Sequence, residues 1–228
     1  MSTAREQMLQ RIREAVREGN RAGGSPATIP ERGQVGYQGA GTDPVVCFCA
    51  ALTAAGGQPH VVADAAAAVA AIVDLVRSRS IRRVLLGHGE VLDALPIVEP
   101  LRAAGVEVMD VVESAERKEW FAAELGLSGV DYLIAETGSI VVASCPEQPR
   151  SLSLLPPIHI AVAHRRQLLP DLFDLFTALG PQAGDLPAGL TIIMGPSKTG
   201  DIELRLVTGV HGPGEVHVVL IDSEQTSR

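Results

Sequence analysis

This 228-residue sequence predicts an α/β fold: a mainly parallel sheet flanked by helices, with an antiparallel hairpin set into it. Three observations carry that reading. Short β-rich runs alternate with helical periods from residue 43 to about residue 126. The rhythm breaks at Val130, where two β-rich runs are joined by a tight turn. Hydrophobic residues make up 46% of the chain and aromatics only 3%, so a sizeable core exists and is built from Ala, Val, Leu and Ile.

The elements run in order along the chain. Met8, Leu9, Ile12 and Val16 recur at helical spacing, which predicts a helix over residues 3–20. Residues 21–42 are rich in Gly and Pro and read as a linker or mobile loop, so the chain divides into 1–42 and an α/β domain at 43–228. The first helix is either an arm for a neighbouring subunit, which would make a homo-oligomer, or a helix packed on its own domain. Asp43-Pro44 reads as an N-cap and first helical residue, and Gly56-Gly57 closes that helix. A strand at His60–Ala63 comes next, then a helix capped by Asp64 and a buried strand at Arg83–Gly87. A helix over 97–104 leads to a strand at Val106–Asp110. Ser114 is expected to cap a helix that ends near Gly126. Beyond the hairpin at 130–143 come a strand at Ile158–Ala163, a helix over 168–179, a strand at Leu190–Met194, a short helix near Asp201–Leu206 and a last strand at Val216–Ile221.

Composition removes several function classes. A net charge of −8 without a basic block argues against nucleic acid, whose phosphates must be neutralised by Lys and Arg. No apolar run is long enough for a membrane span, and the N-terminus lacks a signal-like core, which predicts a cytoplasmic protein. Cys47, Cys49 and Cys145 fit no disulfide framework or zinc pair, and three thiols cannot supply the four of an iron–sulfur cluster. The histidines are scattered, without a metal-binding pair, so no metal site is expected.

Four segments carry candidate chemistry. The Gly195-Pro196-Ser197-Lys198-Thr199-Gly200 loop, followed by Asp201, reads as a strand–loop–helix start able to hold a small anion. In it Gly195, Ser197, Lys198, Thr199 and Asp201 are ligand-binding candidates, although a plain helix cap explains the same residues. Gly209 and Gly212 flank His211, a residue type suited to acid–base work. Glu136-Thr137-Gly138 ends a buried strand in a tight turn. There Glu136 is a candidate base or nucleophile, and Thr137 and Gly138 form the lip. Arg150 is a candidate clamp for a carboxylate or phosphate. His159, and Gly87-His88-Gly89 at the end of another strand, are weaker members of the same rim.

Taken together, A-E-T-G-S at 135–139, S-L-L-P-P-I-H-I at 153–160, G-P-S-K-T-G-D-I-E at 195–203 and G-V-H-G-P at 209–213 resemble the LUD domain, and more narrowly the lactate-utilisation protein C family, over roughly residues 45–222. Lys198 and Gly200 stand where that family more often has Arg and Ala. The resemblance implies a fold similar to ribose-phosphate isomerases and CoA transferases. It also implies a part in oxidising L-lactate to pyruvate within a three-protein system whose other members carry the iron–sulfur clusters. It supplies no catalytic residues. The Glu136-x-Gly138 frame shares only its outline with the glutamate turn of class I CoA transferases. The alternative is a free-standing enzyme acting on a phosphorylated or CoA-linked metabolite.

Overall fold

In the computed structural model, which describes residues 4–22, 39–112, 118–180, 187, 189–202 and 205–223 (backbone alone at 19–22, 199–202 and 205–208), aspartates set the starts of the main helices. Helix α1 (Ala4–Ala22) lies in one unit of the chain, Met1–Tyr37, and every other element lies in a second, Gln38–Arg228. Met8, Leu9, Ile12 and Val16 form an exposed stripe along α1. In the second unit Asp43 accepts the Val45 and Val46 N–H groups at the start of α2 (Pro44–Ala55), and Gly56, at φ 95°, closes that helix. Then come β1 (Gln58–Val62), α3 (Ala65–Ser78, capped by Asp64), β2 (Arg83–Leu86), the short α4 (Glu90–Asp93) and α5 (Val98–Ala103), and β3 (Glu107–Asp110). The second half holds β4 (Leu125–Gly129), the hairpin β5 (Tyr132–Ile134) and β6 (Ser139–Ala143), β7 (Ile158–His164) and β8 (Leu168–Leu169). After these come α6 (Leu172–Leu179), β9 (Leu190–Ile193), the ribbon β10 (Lys198–Ile202) and β11 (Arg205–Thr208), and β12 (Glu215–Ile221).

Six strands form a parallel sheet in the order β1-β12-β7-β4-β2-β3. Four more form a mixed sheet in the order β8-β5-β6-β9, in which the hairpin is antiparallel as the turn chemistry predicts. The alternation of side chains along the strands builds the layers. Ile158, Ile160 and Val162 of β7 join Val219 and Ile221 of β12 in a core with Ile72 and Val76 of α3 and Leu101 of α5. On the opposite face Ala161, Ala163, Val216, Val218 and Leu220 pack against Phe48 and Leu52 of α2 and Leu133, Ile140 and Val142 of the hairpin. Helix α6 covers the far side of the mixed sheet through Leu175, against Ile134 and Val141.

Three expectations are corrected. The segment leading to Gly126 is not a long helix: Ser114 lies outside the described residues, Glu119–Ala122 is a 3-10 turn, and Leu125–Gly129 is a central strand. Its glycines look like helix stops in sequence, but Gly126 is there because a Cβ would sit 2.0 Å from the Leu152 carbonyl oxygen. The helix read over 168–179 starts at Leu172, because Leu168 and Leu169 pair with Leu133 and Ile134, and Asp171 caps the shorter helix. The helix near Asp201–Leu206 does not form; the chain folds there into the β10–β11 ribbon, whose register shifts between Thr199 and Ile202.

The two kinds of glycine separate by experiment. Gly126→Ala should lower unfolding free energy in urea by about 1–3 kcal/mol, through overpacking against backbone. Gly180→Ala, at φ −52° with nothing within 4 Å, should change it by less than about 1 kcal/mol and in the stabilising direction.

Candidate functional site

Helix α2 gathers most of the sequence motifs. The Glu136–Gly138 turn lies against its last half: Gly138, at φ 63°, has its Cβ position 2.2 Å from the Leu52 backbone nitrogen, so only glycine fits. Ala135 and Glu136 are tied by their N–H groups to the carbonyls of Leu169 and Pro170, and the Cys47 thiol reaches the Ala135 carbonyl oxygen at 3.5 Å. Thr137 Oγ1 lies 2.7 Å from Ser139 Oγ. One helical turn further along, a Cβ on Gly195 (φ 107°) would sit 3.0 Å from the Ala55 oxygen, and Lys198 Nζ donates to that same carbonyl at 2.5 Å. A cation on the last carbonyls of a helix is favoured by the helix dipole.

The two glycine-rich loops do meet. The Ser197 N–H donates to the Pro213 carbonyl, and the Gly209 N–H to the Ser197 carbonyl, both at 2.9 Å. The Gly214 N–H reaches Pro157, which brings the Leu-Pro-Pro segment to the same place. Gly209 takes φ 81°, and Gly212 lies 3.5 Å (from its Cβ position) from Ser197 Cβ. The result is a rim at the end of the parallel sheet where β7 and β12 begin, with Glu136, Lys198 and His211 exposed on it. The rim is therefore not a helix N-terminus: Thr199 and Asp201 belong to the backbone of β10, and no helix comes after them among the described residues. Partial desolvation, and then the Asp171 carboxylate, push the Glu136 carboxyl above the ordinary carboxylate range.

Arg150 is not brought to the rim. Its Cδ lies 3.6 Å from the Cβ position of Gly189, and the Gly189 carbonyl accepts from Ser144, so it sits where β6 ends and β9 begins, the opposite end of the mixed sheet. His159 is fully buried on β7, with Nε2 2.8 Å from Ser128 Oγ and no described hydrogen-bond partner at Nδ1. Burial, reinforced by His217, lowers its pKa to about 4. Sequence reading missed the polar chain beside it: His60 Nε2 lies 3.0 Å from His217 Nδ1, His217 Nε2 3.3 Å from Glu215, and Glu215 pairs with Arg79. Strand register brings His60 to His217, since Gln58 pairs with His217, and the end of α3 supplies Arg79. Among the described residues no group of three or more His, Cys, Asp or Glu is arranged to hold a metal.

A helix-flanked parallel sheet with a second, mixed sheet on one face defines the architectural class. The LUD domain family model matches residues 47–221, and the chain belongs to that family. It is 32% identical over 161 residues to a protein of Halalkalibacterium halodurans called Lactate utilization protein C, a match covering 67% of this chain and 68% of that one. It is 34% identical over 162 residues to the uncharacterised protein YkgG of Escherichia coli K12, covering 69% and 70%. Among solved structures, a DUF162-family protein from Deinococcus radiodurans shares the fold, with a TM-score of 0.58 and 22% identity over 78% of this chain and 96% of that one.

Two measurements check this geometry. Gly138→Ala, which forces both a left-handed alanine and a clash with α2, should cost about 2–4 kcal/mol in urea unfolding. His159 is neutral when folded, while the unfolded histidine protonates near its ordinary 6.5. Between that value and about 4 the unfolded chain binds more protons, so stability falls on acidification through this window. The loss amounts to roughly 3 kcal/mol at 1.36 kcal/mol per pH unit, and His159→Gln should show a flatter stability profile over the same range.

Proposed function

We propose that this chain serves lactate utilisation as a component without an iron–sulfur cluster of its own, binding a small anionic metabolite at the rim around the end of α2. The observation that carries the binding reading is that the Glu136 turn and the Gly195 loop rest on one helix, with the second glycine-rich loop bonded to the first and Lys198 at the surface among them. The relatives named Lactate utilization protein C support the process. The thiol count supports the division of labour, because three cysteines leave cluster chemistry to partner proteins that carry it. Composition supports a cytoplasmic setting, and no described helix is long and apolar enough to cross a membrane.

A second reading, a free-standing isomerase- or transferase-like enzyme, is favoured by one feature: the raised pKa of Glu136 next to Asp171, which suits a proton acceptor. Turnover of sugar phosphates or acyl-CoA esters tests it: none detected disposes of the reading, and turnover that survives Glu136→Gln unchanged disposes of the role given to Glu136.

Deleting the gene should abolish growth on L-lactate as sole carbon source, with wild-type growth on glucose; unimpaired lactate growth overturns the assignment. In calorimetric titration with L-lactate and pyruvate, Lys198→Met should weaken binding by about tenfold, the scale of one charge-assisted hydrogen bond. The thermal midpoint is recorded alongside, because the same lysine also caps α2.

A further inference from the structure

Helix α1 carries an apolar band open to solvent along one side. Met8 is 65% exposed, Val16 55%, Ile12 48% and Leu9 36%. With Ala15 they fall within a band roughly 120° wide around the helix axis. The opposite side is polar, and there Gln10 donates to Glu14 at 3.1 Å. Most of the stability of such a helix in water comes from packing its apolar face against another surface.

The charges beside the band identify what it fits. Arg11 and Glu18 border one edge, and Glu6 and Arg13 border the other. Each edge thus holds one cation and one anion, about two helical turns apart. When two copies of α1 lie antiparallel about a two-fold axis through Ile12, each edge meets the same edge of the second copy. Arg11 then comes within reach of Glu18 of the second copy, and Glu6 within reach of its Arg13, so opposite charges meet along both edges. Between the edges Met8 faces Val16, Leu9 faces Ala15 and Ile12 faces Ile12, long side chains against short ones on either side of the axis. Arg5, in line with the band, reaches the C-terminal end of the second helix, where the helix dipole favours a cation. Parallel alignment reverses the charge match: Arg5 meets Arg5, and Arg11 meets Arg13. With Arg5, Arg11, Arg13 and Arg17 interleaved among Glu6, Glu14 and Glu18, the helix lacks the strongly basic face that holds a helix on a membrane surface.

We propose that α1 is a self-association surface, on which the apolar bands of two copies of this chain pack antiparallel about Ile12, with Arg11–Glu18 and Glu6–Arg13 pairs bordering the seam. The occupant is a second copy because the band complements itself, in size across the axis and in charge along both edges. A helix of 19 residues is about 28 Å long. One seam of that length falls below the roughly 1,200 Å² at which standard interfaces begin, so the dimer is reversible and concentration-dependent. It shares no residue with the α2 rim, and it stands or falls apart from anion binding there.

The test is sedimentation velocity of the full chain from about 5 to 500 µM, the regime of weak complexes. The expected result is a monomer–dimer equilibrium. Ile12→Asp, which puts two carboxylates on the axis, should weaken it by roughly tenfold or more. Arg11→Glu should weaken it about threefold, and Arg11→Glu combined with Glu18→Arg should bring it back to within about twofold of wild type, because the edge pairs are reciprocal. Far-ultraviolet circular dichroism checks that each variant folds as the wild type does. The proposal is overturned by a chain that stays monomeric over the whole range, including one that instead pellets with phosphatidylglycerol vesicles. It is overturned equally by a dimer that Ile12→Asp leaves intact, or that the paired exchange fails to restore. A dimer that Arg11→Glu leaves unchanged or tightens, the latter being the outcome of parallel pairing, also overturns it.

Discussion

Everything in the main unit depends on how closely other backbones approach helix α2. Phe48 and Leu52 are fully buried between two sheets, packed against Leu133, Ile140 and Val142 of one and Val216, Val218 and Leu220 of the other. Strand β7 turns Ala161 and Ala163 that way while it turns Ile158, Ile160 and Val162 to the opposite core. Gly138 and Gly195 then let two loops rest on the helix backbone itself, at Leu52 and Ala55. Close packing of this kind is unforgiving, because a dense interior has no free volume into which an added methyl group can move.

That constraint changes the meaning of the glycine-rich motifs. Gly138, Gly195 and the Ser197–Gly209 and Gly214–Pro157 contacts are first of all the joints by which the mixed sheet, the ribbon and β12 are assembled around α2. Lys198 shares in this, since its ammonium group is bonded to the last turn of the helix. The motifs that mark the family and the joints that hold the fold are the same residues. A ligand-binding role for the rim rests on the side chains left exposed there, Glu136, Lys198 and His211, rather than on the glycines.

The two ends of the parallel sheet differ in kind. At the end where β7 and β12 begin, polar groups are drawn into internal bonds: Lys198 to a carbonyl, Glu215 to His217 and Arg79. At the end where β2 and β4 finish, the Asp93 carboxylate sits on a His88 ring nitrogen and the Gly89 N–H, with Asp110 on the other ring nitrogen.

The sequence by itself determined the strand–helix alternation, the hairpin at 130–143, the aspartate caps at Asp43 and Asp64 and the family, since each is written in residues near one another along the chain. It misread Leu125–Gly129, because the glycines of a central strand answer to a carbonyl contributed by Leu152, and it misread Asp201–Leu206, because pairing between β10 and β11 outweighed local helical signals. It placed both His88 and Arg150 on a rim that neither reaches. Tertiary structure alone decided that Asp110 stands behind His88, that His60 meets His217, and that Arg150 lies at the far end of the mixed sheet. These are contacts between strands far apart in sequence, and their register is set by which faces must be buried, a global condition that no local pattern contains.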